Sequence, residues 1–233
     1  RAISGICRFM LLSTEPDFRL YMTPINIDPE RPAMPIAHPA FYSVYLAKLM
    51  GPFATLGLAE DTWALNENVI GEKGFVQQVY DIQRERETMM IETLKRTRTG
   101  LCACVFDILD RVQHCFFNEP TDIAANVQSR INEAYIYLDG FVGTMLEMCG
   151  KDDLFMVMSD HGFAHFQTGI NINAWLQKEG YLCAADNNDA SDYFGNVDWS
   201  ATRAYAVGLA GIYLNLKGRE SKGIVSPNKA KHL

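Results

Sequence analysis

Apolar positions follow two distinct rhythms along these 233 residues. Residues 101–108 and 154–158 are continuous apolar runs, broken only by Asp107 in the first. Neither shows period-2 alternation, so both predict strands covered on two faces, as in a parallel sheet; the second strand is expected over 154–159. Between them Ile123, Val127, Ile131, Tyr135, Leu138, Val142 and Met145 recur at helical spacing, which predicts a long helix over 122–149, stopped by Gly150. Strand, helix, strand is a βαβ unit, and a crossover of that length implies parallel strands and a right-handed connection.

The flanking sequence has the same mixed character. Strands are expected over 7–13 and 18–27, with Phe18, Leu20 and Met22 alternating against Arg19 and Tyr21. Pro29, Pro32, Pro35 and Pro39 exclude helix and sheet interior from 28–39, and His38 within it reads as a surface residue. Helices follow at 41–50, closed by Gly51 and Pro52, at 60–68, and at 73–96. The last has Phe75, Val79, Ile82, Met89 or Met90, and Leu94 on one stripe; its charged run 84–87 reads as a solvated face. A helix at 173–179 ends at Gly180, 184–198 is a polar loop, and 204–207 and 211–216 are short strands around a turn at 208–211. Residues 218–233 read as a polar, basic lead-in to a further element. The whole is expected to be one α/β domain, with about 28–70 a peripheral loop-and-helix excursion.

Composition narrows the function classes. A net charge of −7 and a pI near 5.2 argue against coating nucleic acid, although bound cations can reverse the local field for an anionic substrate. Cys7, Cys102, Cys104, Cys115, Cys149 and Cys183 have no framework spacing. They read as reduced thiols and favour a cytoplasmic setting. Cys102 and Cys104, two apart on a strand, are expected to face opposite sides. No apolar run reaches the roughly 18 residues of a membrane span; the chain starts at Arg1, so a lost N-terminal signal stays open.

The candidate chemistry lies at the exits of the two apolar strands. Asp160 and His161 fall just past the carboxyl end of the second, where open α/β sheets place ligands, and Gly162 is expected to permit a tight turn. Asp110 and His114 follow the first strand at i and i+4, so a helical turn puts them on one face. Two carboxylates and two imidazoles at one sheet edge suit one or two divalent ions of the Zn²⁺ type.

The segments 106–114 (Phe-Asp-Ile-Leu-Asp-Arg-Val-Gln-His) and 159–163 (Ser-Asp-His-Gly-Phe) resemble the alkaline phosphatase superfamily, most closely its type I phosphodiesterase/nucleotide pyrophosphatase branch. Residues 20–29, 201–209 and 215–220 share that resemblance. It implies a three-layer α/β/α sandwich with a mostly parallel sheet, incomplete at both ends. It also implies hydrolysis of a small phosphate ester with two divalent ions, Zn²⁺ ahead of Mn²⁺ or Mg²⁺. Asp110 and His114 would hold one ion, and Asp160 and His161 the other. The family's first aspartate, its Thr or Ser nucleophile and its last histidine have no match here. Thr14, His165 and His232 lack the required context, so the nucleophile is expected outside these residues and the 233-residue piece is expected to be inactive alone. A phosphomutase or sulfatase of the same superfamily, or a non-catalytic metal-binding module, are the alternative expectations.

Overall fold

The structure, a computed structural model, describes residues 3–117, 124–165, 167–185, 194–208 and 211–233. Expectations for Ile123, the side chain of Val127, the middle of the 184–198 loop and residues 209–210 of the turn lie outside them. The chain divides into two units, Arg1–His165 and Phe166–Leu233.

In the first unit, β1 (Gly5–Ile6) pairs antiparallel with β4 (Asn26–Ile27), and β2 (Phe9–Ser13) with β3 (Arg19–Met22). The β2–β3 register sets Phe9 opposite Met22, Met10 opposite Tyr21 and Leu11 opposite Leu20. The expected alternation is present, and the face turned inward is that of Tyr21. Leu20 and Met22 stay exposed while Tyr21 is buried with Met10 packed beside it. A phenol is a large apolar body with one polar tip, and here the tip finds a partner: Tyr21 Oη donates to Asp61 Oδ2 at 2.6 Å.

The helices are α1 (Tyr42–Met50), α2 (Thr62–Asn66), α3 (Glu72–Leu94), α4 (Ile108–Phe116) and α5 (Ala124–Met148). Asp61 caps α2, its side chain accepting from the Ala64 amide at 2.9 Å, which satisfies one of the donors a helix start leaves open. The core lies where α3, α4 and α5 meet. Phe75 and Val79 from α3, Ile108, Val112 and Phe116 from α4, and Ile131 and Ala134 from α5 are all buried there. The Phe75 and Phe116 rings meet edge to face at 6.2 Å. Burying each such side chain contributes about 1.5–3 kcal/mol.

The charged run on α3 is a correction to the solvated-face expectation. Only Arg84 is exposed. Glu85 pairs with Arg8 and accepts from the Ala54 amide at 2.9 Å, Arg86 pairs with Asp107, and Glu87 accepts from Tyr137 Oη at 3.0 Å. Helix α3 is flanked by β2–β3, α1, α4 and α5, so more than one stripe meets neighbours and its polar residues serve as ties.

The two strands expected at 101–108 and 154–159 are not present as strands, and the βαβ unit is not formed among the described residues. Both segments lack regular structure, and Ile108 opens α4 instead. A strand exists only when a neighbour takes its N–H and C=O groups, and no described residue pairs with either segment. Leu101 and Leu154 are accordingly 90% and 86% exposed. The first segment is fixed at its end by Phe106 against Phe141 and by the Arg86–Asp107 pair. Cys102 sits against Met90 Sδ at 3.7 Å. All six cysteines are free thiols.

In the second unit α6 (Ile172–Lys178) is capped by Asn171, which accepts from the Ala174 amide at 3.0 Å, and ends at Gly180 with φ +72°. Its Leu176 packs with Leu182 on Ala204 and Ala206 of β5 (Ala204–Val207), which pairs antiparallel with β6 (Gly211–Leu214). Residues 218–233, expected to lead away, instead fold back: the Ile224 and Val225 amides donate to the Asn215 carbonyl, Val225 is buried, and α7 (Pro227–Ala230) follows. No helix among the described residues is long and apolar enough to cross a membrane.

Candidate functional site

The register of α4 decides where the expected site residues point. Ile108, Val112 and Phe116 occupy i, i+4 and i+8 and face the core, so Asp110 and His114, about 200° and 240° round from Ile108 at 100° per residue, fall on the opposite side. There Asp110 Oδ1 lies 3.2 Å from His114 Nε2. The 159–162 turn comes to the same place. His161 Nε2 is 3.8 Å from Asp110 Oδ1 and 3.4 Å from Asp160 Oδ2, and the two imidazole rings are 6.5 Å apart, edge to face. The four residues singled out in the sequence therefore converge, with Asp110 between the two histidines.

Local contacts fix the turn. Ser159 Oγ donates to the His161 carbonyl, and His161 Nδ1 lies 3.1 Å from the Gly162 carbonyl oxygen. A carbonyl accepts only, so the neutral tautomer that makes this bond carries its proton on Nδ1 and leaves the lone pair on Nε2. Gly162 itself is not demanded by the backbone: its φ is outside the left-handed region and a Cβ would meet nothing within 4 Å. Glycine is thus permitted at this turn but not required by it.

Aromatic rings back the imidazoles. Phe163 meets His114 at 4.9 Å and His161 at 5.5 Å, and Phe117 meets Phe163 at 5.9 Å and His165 at 4.9 Å. Sequence reasoning set His165 aside and assigned no role to Phe163. Neither residue type gives a signal, because packing against a histidine ring depends on tertiary placement.

The largest surprise is on the other side of Asp110. Arg111 Nη1 donates to Asp110 Oδ2 at 3.0 Å, and Arg111 Nε lies 3.4 Å from Oε2 of Glu60. Asp110 is thus bracketed by a guanidinium and two imidazoles.

The donor set fits a divalent cation in kind: carboxylate oxygens and imidazole nitrogens at half-exposed positions that solvent ions reach. In that tautomer Nε2 of His161 and the oxygens of Asp110 and Asp160 are acceptors facing one another, an arrangement that a cation between them relieves. Among the described residues no three His, Cys, Asp or Glu groups stand in a ready-made cage; Asp160, with 87% of its side chain exposed, is the outlying member.

No curated protein and no solved structure matches the chain. Residues 38–233, which contain all four converging side chains, match the family model described as type I phosphodiesterase / nucleotide pyrophosphatase, a family of phosphoester hydrolases within the alkaline phosphatase superfamily. The chain belongs to the type I phosphodiesterase/nucleotide pyrophosphatase family.

Proposed function

We propose that the chain carries part of the two-metal centre of a phosphodiesterase or nucleotide pyrophosphatase acting on a small phosphate ester. Asp110 with His114 would hold one divalent ion, and Asp160 with His161 the other, Zn²⁺ being the best match to mixed imidazole and carboxylate donors. The observation that carries the reading is the meeting of these four side chains within 3.2–3.8 Å contacts on one surface of the first unit. They come from segments about 50 residues apart, joined by the packing of Phe163 on His114 and Phe117.

Bound ions supply charge neutralisation for an attacking hydroxyl and for the phosphoryl oxygens. The chain's own residues supply the rest. Asp110 and Asp160 provide fixed negative charge, and His161, with Nδ1 occupied at the Gly162 carbonyl, presents Nε2 as the ligand atom. Phe163 packs edge to face against both imidazoles and restricts their orientation. The hydroxyl nucleophile, a Thr or Ser in this chemistry, would come from residues outside these 233. The same reading implies a mostly parallel sheet in a three-layer sandwich; the bare apolar side chains of 101–107 and 154–158 support it, since such runs are normally covered.

The test is metal content and turnover of a chromogenic phosphodiester by full-length protein. Asp160→Ala combined with His161→Ala is expected to lower both. Unchanged zinc stoichiometry and unchanged turnover in that variant would refute the reading.

A further inference from the structure

We infer that Arg111 is a positioning residue for Asp110, and that buried Glu60 is the anchor that aims it. This rests on the metal-site reading above and deepens it. The Arg111 side chain is 15% exposed and that of Glu60 only 2%. The guanidinium is held at one end by Glu60, with Nε 3.4 Å from Oε2, and at the other it donates from Nη1 to Asp110 Oδ2 at 3.0 Å. A guanidinium is a planar, rigid fork. Drawn toward Glu60 at Nε by charge, it turns Nη1 to Asp110.

Glu60 is itself well placed to act as an anchor. Its neighbour Asp61 is tied three ways: its amide donates to Gln78 Oε1 at 2.7 Å, its carboxylate accepts from Tyr21 Oη at 2.6 Å, and it caps α2. The line from the core to the site therefore runs from Tyr21 and Gln78 through residues 60–61 to Arg111 and on to Asp110.

The consequence is a carboxylate with assigned oxygens. Oδ2 of Asp110 is occupied by Arg111, and Oδ1 faces His114 at 3.2 Å and His161 at 3.8 Å. Without the fork, the terminal torsion of an aspartate is broad, and either oxygen, or both, would turn to an ion. As a device for stability alone the arrangement is poor. Neither Glu60 Oε2 nor Arg111 Nε completes a hydrogen bond among the described residues, and a buried pair held by charge alone commonly costs as much in desolvation as it returns. Its geometry makes sense as orientation of a ligand from behind, the usual task of groups that contact metal ligands.

The experiment measures Zn²⁺ affinity by competition with a chromogenic chelator, and the absorption spectrum of the Co²⁺ form, in full-length protein. Wild type is compared with Asp110→Asn, Arg111→Lys and Arg111→Gln, with melting temperature measured on each. Loss of the fork is expected to weaken Zn²⁺ binding roughly 10–100-fold in both Arg111 variants, the range typical of groups behind a metal ligand. The Co²⁺ spectrum should change as well. Arg111→Lys keeps a charge beside Glu60 and is expected to melt near wild type while still binding poorly, a split that a merely structural role does not produce. Wild-type affinity in Arg111→Lys, or affinity that simply follows melting temperature across the variants, would overturn the inference while leaving the metal site standing. If wild type binds no Zn²⁺, or Asp110→Asn binds it equally well, the metal-site reading fails and the inference falls with it. Should Arg111→Gln not fold, Arg111→Lys alone decides.

Discussion

Replacing Tyr21 with phenylalanine probes the joint that holds residues 60–61 against the core. The Tyr21 hydroxyl donates to Asp61 Oδ2 at 2.6 Å and its ring is 5% exposed. Burial first, and then the bond to the Asp61 carboxylate, pushes its pKa up from 10.0 to about 12. A folded pKa above the unfolded one favours the protonated phenol, so this contribution is complete below pH 10 and is lost as pH rises from 10 to 12. Two pK units correspond to about 2.7 kcal/mol in total, and about half of that is gone by pH 11. At neutral pH the variant also loses a hydrogen bond to a charged acceptor, about 1.5–3 kcal/mol. Urea denaturation of wild type and Tyr21→Phe, run in parallel from pH 7 to 11, gives the difference directly and cancels the other tyrosines. The gap between the two proteins is expected to be constant to about pH 9 and to narrow by about 1.4 kcal/mol at pH 11. A gap that does not change with pH would refute the assigned burial and bond.

Phe116→Ala empties the centre of the α3–α4–α5 junction and is expected to cost about 3–5 kcal/mol by denaturant titration; a loss under 1 kcal/mol would contradict the packing. Asp61→Ala removes both the α2 cap and the Tyr21 acceptor. The cap alone is expected to cost about 0.5–2 kcal/mol, and the combined loss should be less than additive with Tyr21→Phe in a double-mutant cycle, because the two residues share one bond. Gly162→Ala is expected to leave melting temperature unchanged or slightly raised, since nothing lies within 4 Å of the added methyl and φ is not left-handed. A drop of several degrees would show that the turn needs glycine after all.

The helices were the most legible part of the sequence. Phe75, Val79 and Ile82 recur at helical spacing, and α3 buries that face; Asn171 and Gly180 bracket α6 as their residue types suggest. The apolar runs at 101–107 and 154–158 misled because hydrophobicity reports a tendency to be covered, while a strand also needs a hydrogen-bonding neighbour, which no described residue provides. The polar side of α3 was misread for a related reason. Glu85, Arg86 and Glu87 look like surface charge in one dimension, and their partners Arg8, Asp107 and Tyr137 lie 77, 21 and 50 residues away.

The site divides along the same line. Asp110 with His114, and Asp160 with His161, are short-range pairs whose spacing alone suggested shared chemistry, and the structure brings the two pairs together. Arg111 sat in plain view beside Asp110, yet its role depends on Glu60, about 50 residues earlier, and on how Tyr21 and Gln78 hold residue 61. No spacing rule reports a contact of that range.

The central claim is that Asp110, His114, Asp160 and His161 bind divalent metal. Isothermal titration of Zn²⁺ into wild-type protein and into the Asp160→Ala, His161→Ala double variant tests it most directly. The account predicts tight binding in wild type and loss of at least one bound ion in the variant, with both proteins folded. Equal stoichiometry and equal affinity in the two proteins would contradict it.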